Sequence, residues 1–311
     1  MNLVRFLRSA AACALLLPPL AAAAAPAQAA PAAQASQASG AVQTIDRGRF
    51  TVEVSGSGPD VILIPGLASS RAVYDGIAAD LAKHHRVHRV QIAGFGGLAA
   101  GPNGEGAVVD PTIEELHRYI TEAHLDHPAV IGHSMGGLSG LLLAQRHPED
   151  VGRLLIVDAL PFFSALFDPA ATPATVEPFA GQMRGQMVAM PADQFAAGQA
   201  RTSATLVLTP SRRQQMIDMS LVSDRQVMAQ AMYDVMTTDA RPGLAAMHTP
   251  VTVLYAFDTS MGVPAERIDG LYTGSYAALP GVKMVRVDGS YHFIMFDQPA
   301  RFAAEVDAFL K

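Results

Sequence analysis

Residues Arg49 to Val54 alternate polar and apolar side chains, the period of a strand with one covered face. The run Gly56-Ser57-Gly58-Pro59 reads as the turn that ends it. Val61 to Ile64 is apolar without a break, which suits a strand covered on both faces of a parallel sheet. Ala72 to Lys83 has helical spacing, and Val87 to Ile92 returns to a strand before a glycine-rich loop from Ala93 to Gly106. Thr112 to Ala123 carries Ile113, Leu116 and Ile120 on one helical face, and Thr112 and Glu115 have the spacing of a capping box. Ala129 to Ile131 then runs as a short strand into Gly132-His133-Ser134-Met135-Gly136-Gly137 and a helix rich in Leu and Ala. Leu154 to Val157 is the next apolar strand.

From Pro161 to Met247 the pattern changes to Ala, Gln and Met with few β-branched runs, and nine of the fourteen methionines fall there. This stretch predicts a helical insertion. Strands resume at Val251 to Tyr255 and Lys283 to Val287. The chain closes on a helix with Phe302, Val306, Phe309 and Leu310 on one face, with Asp297 as N-cap and Pro299 in its first turn. Alternating strands and helices argue for an α/β fold, a mostly parallel central sheet with helices on both faces. The core then spans 43–160 and 248–311, interrupted by the helical insertion at 161–247.

Composition changes the picture mainly at the N-terminus. Arg5 and Arg8 precede an apolar run from Ala10 to Leu17 and small-residue cleavage sites such as Ala27-Gln28-Ala29. Residues 1–29 therefore read as a secretory signal, and 30–42 as a disordered lead-in of Ala, Gln, Ser and Pro. The expected location is periplasmic or secreted, with no stable membrane anchor. Removal of the signal leaves 20 basic residues against 28 acidic ones, and takes away Cys13, the sole cysteine. Thiol nucleophiles, disulfides and cysteine-held metals are thereby excluded from the mature chain. An acidic chain without a basic run does not invite nucleic acid.

The chemistry concentrates at Gly132-His133-Ser134-Met135-Gly136, a G-x-S-x-G sequence set between strand and helix. A serine on that sharp turn presents its hydroxyl above the sheet, and the N–H of Met135 faces a developing oxyanion. An unassisted hydroxyl is a weak nucleophile, so Ser134 needs a base. Of the histidines that follow it, His147 lies 13 residues along the same helix, about 20 Å away at 1.5 Å per residue. His248 precedes a strand, on the edge of a parallel sheet opposite to the usual site. His292 follows the last strand and is left as the base. For the acid, Asp258 after the Val251 strand is favoured over Asp158 after the Leu154 strand, with Asp288 a third candidate.

Four segments resemble the α/β-hydrolase superfamily, an esterase- and lipase-like group of serine hydrolases. They are Val61-Ile62-Leu63-Ile64-Pro65-Gly66-Leu67, the Ser134 elbow, Tyr255-Ala256-Phe257-Asp258, and His292-Phe293-Ile294-Met295-Phe296-Asp297-Gln298-Pro299. The resemblance covers Arg49 to Lys311 apart from the insertion. It implies a triad of Ser134, Asp258 and His292, an oxyanion hole from the N–H groups of Leu67 and Met135, and a helical cap at 161–247. Pro65 departs from the pattern, since many members carry His before that glycine, and the Asp258 loop lacks an acidic neighbour often found there. The expected reaction is cleavage of a carboxylic ester through an acyl-enzyme, acting on a small-molecule acyl substrate without cofactor or metal. Thioesterase, lactonase, amidase and acyltransferase reactions use the same triad, and a binding protein could keep the fold without turnover. The histidines at 84, 85 and 88 read as a helix end running into a strand, and Met183 and Met187 as helix packing or pocket lining in equal measure.

Overall fold

The computed structural model describes residues 42–311. The expected signal peptide and nearly all of the lead-in lie outside the described residues. Eight strands form one sheet: β1 (Gln43–Asp46), β2 (Phe50–Gly56), β3 (Asp60–Ile64), β4 (Arg86–Ile92), β5 (Ala129–His133), β6 (Arg153–Val157), β7 (Val251–Phe257) and β8 (Lys283–Asp288). Their order is β1-β2-β4-β3-β5-β6-β7-β8. The β1–β2 and β2–β4 pairs are antiparallel, and every pair from β4 to β8 is parallel.

Side chains alternate across each strand, and the two sets have different partners. Ile62 and Ile64 of β3 join α2 (Val109–Glu122) and α3 (Met135–Arg146) in one cluster, through Ile113, Leu116, Leu138 and Leu141. Val61 and Leu63 point to the other face and meet α1 (Asp75–Leu81) and the C-terminal α10 (Pro299–Leu310) through Ile77, Leu81, Phe302 and Val306. The unbroken apolar runs are thus strands buried on both sides, each large side chain worth roughly 1.5–3 kcal/mol of transfer free energy.

Between β6 and β7 the chain makes four helices: α4 (Pro173–Ala189), α5 (Ala192–Leu206), α6 (Pro210–Leu221) and α7 (Arg225–Thr237). Helix α4 packs on α7 and α5 on α6. The insertion is tied to the core by polar contacts. The Asp224 N–H donates to Gly94 O at 2.7 Å, and the Gly96 N–H donates to Ser223 Oγ at 3.0 Å.

Two expected caps are replaced by contacts from afar. Helix α2 starts at Val109, so Thr112 sits inside it and is buried, and Glu115 pairs with Arg47 and Arg118. The free N–H groups at the start of α2 are taken by Asp234 of α7, which accepts from Val108 at 2.6 Å and Val109 at 3.0 Å. Asp297 ends the one-turn helix α9 (Ile294–Asp297) rather than capping α10. Its carboxylate instead accepts from the N–H groups of Leu208, Thr209 and Tyr291, joining the insertion to the loop that carries His292.

Candidate active site

Ser134 closes β5 and opens α3 with φ 53° and ψ −120°. That backbone is costly for a residue with a Cβ and persists only where its surroundings enforce it. The enforcement is visible. A Cβ on Gly132 would lie 2.2 Å from Gly136 O, and one on Gly136 would lie 2.2 Å from Ile64 O. Both flanking positions must therefore be glycine for the turn to close against β3. The Ser134 N–H still pairs with Val157 O of β6 at 2.9 Å, while its own carbonyl accepts from Gly137 and Leu138. Strand register thus continues up to the serine, and the helix begins immediately after it.

The turn after β3 lies beside the serine. A Cβ on Gly66 would come 3.1 Å from Ser134 Cβ, and Ala68 holds φ 55° in a turn closed by the Ser69 N–H on Gly66 O. Leu67 therefore sits in the turn adjacent to Ser134, and Met135 is the first residue of α3, where helix N–H groups have no intrahelical partner.

His292 lies in the loop between β8 and α9. Its Nδ1 donates to Asp158 Oδ2 at 2.7 Å. An ionised carboxylate only accepts, so Nδ1 carries the proton and the neutral ring keeps its lone pair on Nε2. Asp158 directly follows β6 with φ 50° and takes two further donors on Oδ1, the Ala256 N–H at 2.9 Å and the Tyr272 hydroxyl at 2.8 Å.

The sequence expectation for the acid is corrected here. Asp258 caps a short turn over Thr259–Met261, accepting from the Ser260 N–H at 2.8 Å and from the Ser260 hydroxyl. Those two donors hold its carboxyl below the usual range, the hydroxyl contributing most. The structure brings Asp158 to His292, and not Asp258. Asp288, the third candidate, pairs with Arg286.

Sequence reasoning also passed over His133. It is fully buried under the His292 loop, and its Nε2 donates to His292 O at 3.1 Å. Its ring centroid lies 4.6 Å from that of His292 and 4.7 Å from that of Phe293. Burial, reinforced by the neighbouring His292, pushes its pKa well below the ordinary histidine value, so it is neutral. The adjacent Phe293 N–H donates to Leu206 O at the end of α5, which fastens the same loop to the insertion.

None of the other candidate histidines pairs with Ser134, His292 or Asp158. His147 follows α3 and stacks on His117, His248 is exposed, and His88 is buried between Tyr119 and Asp60. Met187 packs against the main core, which favours its reading as packing. Met183 is half-buried. A cleft of about 330 Å³ is lined by Asn103, Arg184, Val188, Gln226 and Gln230 among others, and none of Ser134, His292, Asp158, Met183 or Met187 lines it.

Known proteins share this architecture. A pimeloyl-[acyl-carrier protein] methyl ester esterase from Aeromonas salmonicida is 34% identical over 43% of this chain and 52% of its own length. The esterase of the same name from Aliivibrio fischeri strain MJ11 is 23% identical over 83% of this chain and 96% of its own. The chain thus spans about half the length of the first curated relatives it matches. Among solved structures, an esterase from Exiguobacterium antarcticum superposes with a TM-score of 0.69 at 17% identity, over 86% of this chain and 97% of that one, a likeness of fold. The family model described as the alpha/beta hydrolase family matches residues 61–305, and the chain belongs to that family.

Proposed function

We propose that the protein hydrolyses a carboxylic ester through an acyl-enzyme, with Ser134 as nucleophile, His292 as general base and Asp158 as the carboxylate behind it. The single observation that carries this reading is the 2.7 Å bond from His292 Nδ1 to Asp158. It frees Nε2 to take a proton at the C-terminal ends of the parallel strands, where Ser134 is held in its strained turn. Ser134 Oγ attacks the ester carbonyl as its proton passes to His292 Nε2. The oxygen becomes anionic and meets the N–H groups of Leu67 and Met135. His292 then returns the proton to the departing alcohol, and the acyl group stays on Ser134. Water then attacks the acyl carbonyl as its proton passes to His292, and His292 returns that proton to Ser134 Oγ as the bond to the acyl group breaks and the acid leaves. Asp158 stabilises the imidazolium at both stages without itself taking a proton.

The relatives' printed names support an ester as substrate, and those of the first curated ones concern a methyl ester. We place the activity in the periplasm or outside the cell on the residues of the first 29 positions alone. The test is Ser134→Ala, assayed on methyl and p-nitrophenyl esters of varied acyl length beside a lactone and a thioester. Loss of the nucleophile is expected to cost about 10⁴- to 10⁶-fold in turnover and to abolish labelling by a fluorophosphonate probe. Turnover near the wild-type rate in the purified variant would end the proposal.

A further inference from the structure

We propose that Tyr272 is a positioning residue for the triad carboxylate, fixing the Oδ1 end of Asp158 so that Oδ2 is presented to His292. The inference rests on the reading of Ser134, His292 and Asp158 given above. Asp158 leaves β6 at a positive φ, so its side chain departs from the strand's alternation and needs its orientation set by contacts. Oδ2 is taken by His292, and Oδ1 receives one main-chain donor, Ala256 of β7, and one side-chain donor, Tyr272.

Tyr272 is itself held rigidly. It lies on α8 (Ala265–Ser275) and stacks on Tyr255 of β7 with ring centroids 4.6 Å apart and planes 19° apart. One turn later, just past the helix, Tyr276 lies on the same face, since side chains four apart stand one above the other. Its hydroxyl donates to Ala159 O at 2.8 Å. This face of the helix therefore grips both residues of the Asp158–Ala159 turn. Tyr255 is anchored in its turn by its hydroxyl on Asp269 Oδ1 at 2.8 Å. Burial, and then the charge of Asp158, keep the Tyr272 hydroxyl far above the ordinary tyrosine range, so it remains a donor at any working pH.

The position has a chemical consequence beyond packing. A donor on Oδ1 draws on the carboxylate's charge, and less of that charge is left to stabilise a protonated His292. Other titratable groups around the pair are His133 from β5, against His292, and Tyr276 after α8, near Asp158, while Tyr255 of β7 faces Tyr272. Arg286 of β8 is bound to Asp269 and Asp288. Removing the Tyr272 hydroxyl should therefore both loosen the carboxylate and make the imidazole more basic.

The experiment compares the full-length wild type with Tyr272→Phe and Tyr255→Phe, reading kcat and KM for p-nitrophenyl acetate across pH. Tyr272→Phe is expected to lower kcat about tenfold, a loss the size of one hydrogen bond to a charged group, with KM within about twofold. Its acidic limb in kcat/KM should rise by about half a pH unit. Tyr255→Phe, which disturbs the same stack without touching Asp158, should leave that limb in place. Should Tyr272→Phe fail to fold, 3-fluorotyrosine at position 272 serves instead: a stronger donor, it should move the limb down. An unmoved limb in the variant that folds, or an equal shift in Tyr255→Phe, would overturn the assignment. Ser134→Ala separates the two levels, because residual turnover there removes the whole site, whereas a dead Ser134→Ala beside an unaltered Tyr272→Phe removes only the tyrosine.

Discussion

Two aspartates stand at the C-terminal ends of neighbouring parallel strands, Asp158 after β6 and Asp258 after β7, and they have opposite fates. Asp158 is drawn away from its own loop by partners 98, 114 and 134 residues distant: Ala256, Tyr272 and His292. Asp258 is satisfied two residues away, by Ser260. A carboxylate whose acceptor sites are filled by its own turn has little left to offer a histidine. One left open by its turn is available to the rest of the fold. Two residues on, Asp258 meets Ser260 whereas Asp158 meets Leu160, so only Asp258 has a side-chain donor in its own turn.

The contrast is broken most forcefully by Asp158→Asn. It keeps the volume, removes the charge and can favour the wrong His292 tautomer, with an expected loss of about 10³- to 10⁴-fold in kcat on a p-nitrophenyl ester. A loss of less than tenfold would mean that the 2.7 Å contact is structural only.

His133 sharpens the same contrast from the other side of His292. It is buried neutral, whereas in the unfolded chain it binds a proton below about pH 6.5. The unfolded state then holds more protons, so stability falls as pH drops below that value, by at most about 1.4 kcal/mol per pH unit. His133→Gln keeps a donor for His292 O and removes this titration. Its denaturation midpoints should therefore decline less between pH 6.5 and 5 than those of the wild type; parallel declines would count against a neutral buried His133.

The smallest effect belongs to Asp258→Asn. Turnover should stay within about threefold, with a stability change of about 1 kcal/mol or less for a lost turn cap. Since its carboxyl is held below the usual range, its stabilisation is present above about pH 4 and is lost as pH falls through the lower folded value. Urea midpoints at pH 7 and pH 3 measure this directly, and a larger deficit at pH 3 than at pH 7 would contradict it.

The pattern of what was legible in the sequence follows the same division. The turn at Ser134 could be read because its strand, glycines and helix are contiguous, and the backbone collisions at Gly132 and Gly136 explain those letters. The place of His292 in the loop after the last strand could be read from the strand pattern. The alternation of Val61 to Ile64 across two helical layers, and the helical insertion between β6 and β7, were likewise encoded locally. The carboxylate that pairs with His292, the cap on α2 and the contacts of Asp297 were not, because each is settled by a partner far along the chain. Asp234 reaches across 126 residues to Val108, and Asp297 across 89 to Leu208. A faint signal did exist for the acid. Tyr272 and Tyr276 have helical spacing, and a tyrosine whose ring is buried needs a polar partner for its hydroxyl.

The central claim is that Asp158, rather than Asp258, activates Ser134 through His292. It is tested most directly by the rate at which a fluorophosphonate labels Ser134, because that rate reports the nucleophile without knowledge of the substrate. With labelling mapped to Ser134, Asp258→Asn should react at the wild-type rate and Asp158→Asn at least about a hundredfold more slowly. Slow labelling of Asp258→Asn beside wild-type labelling of Asp158→Asn would contradict the account.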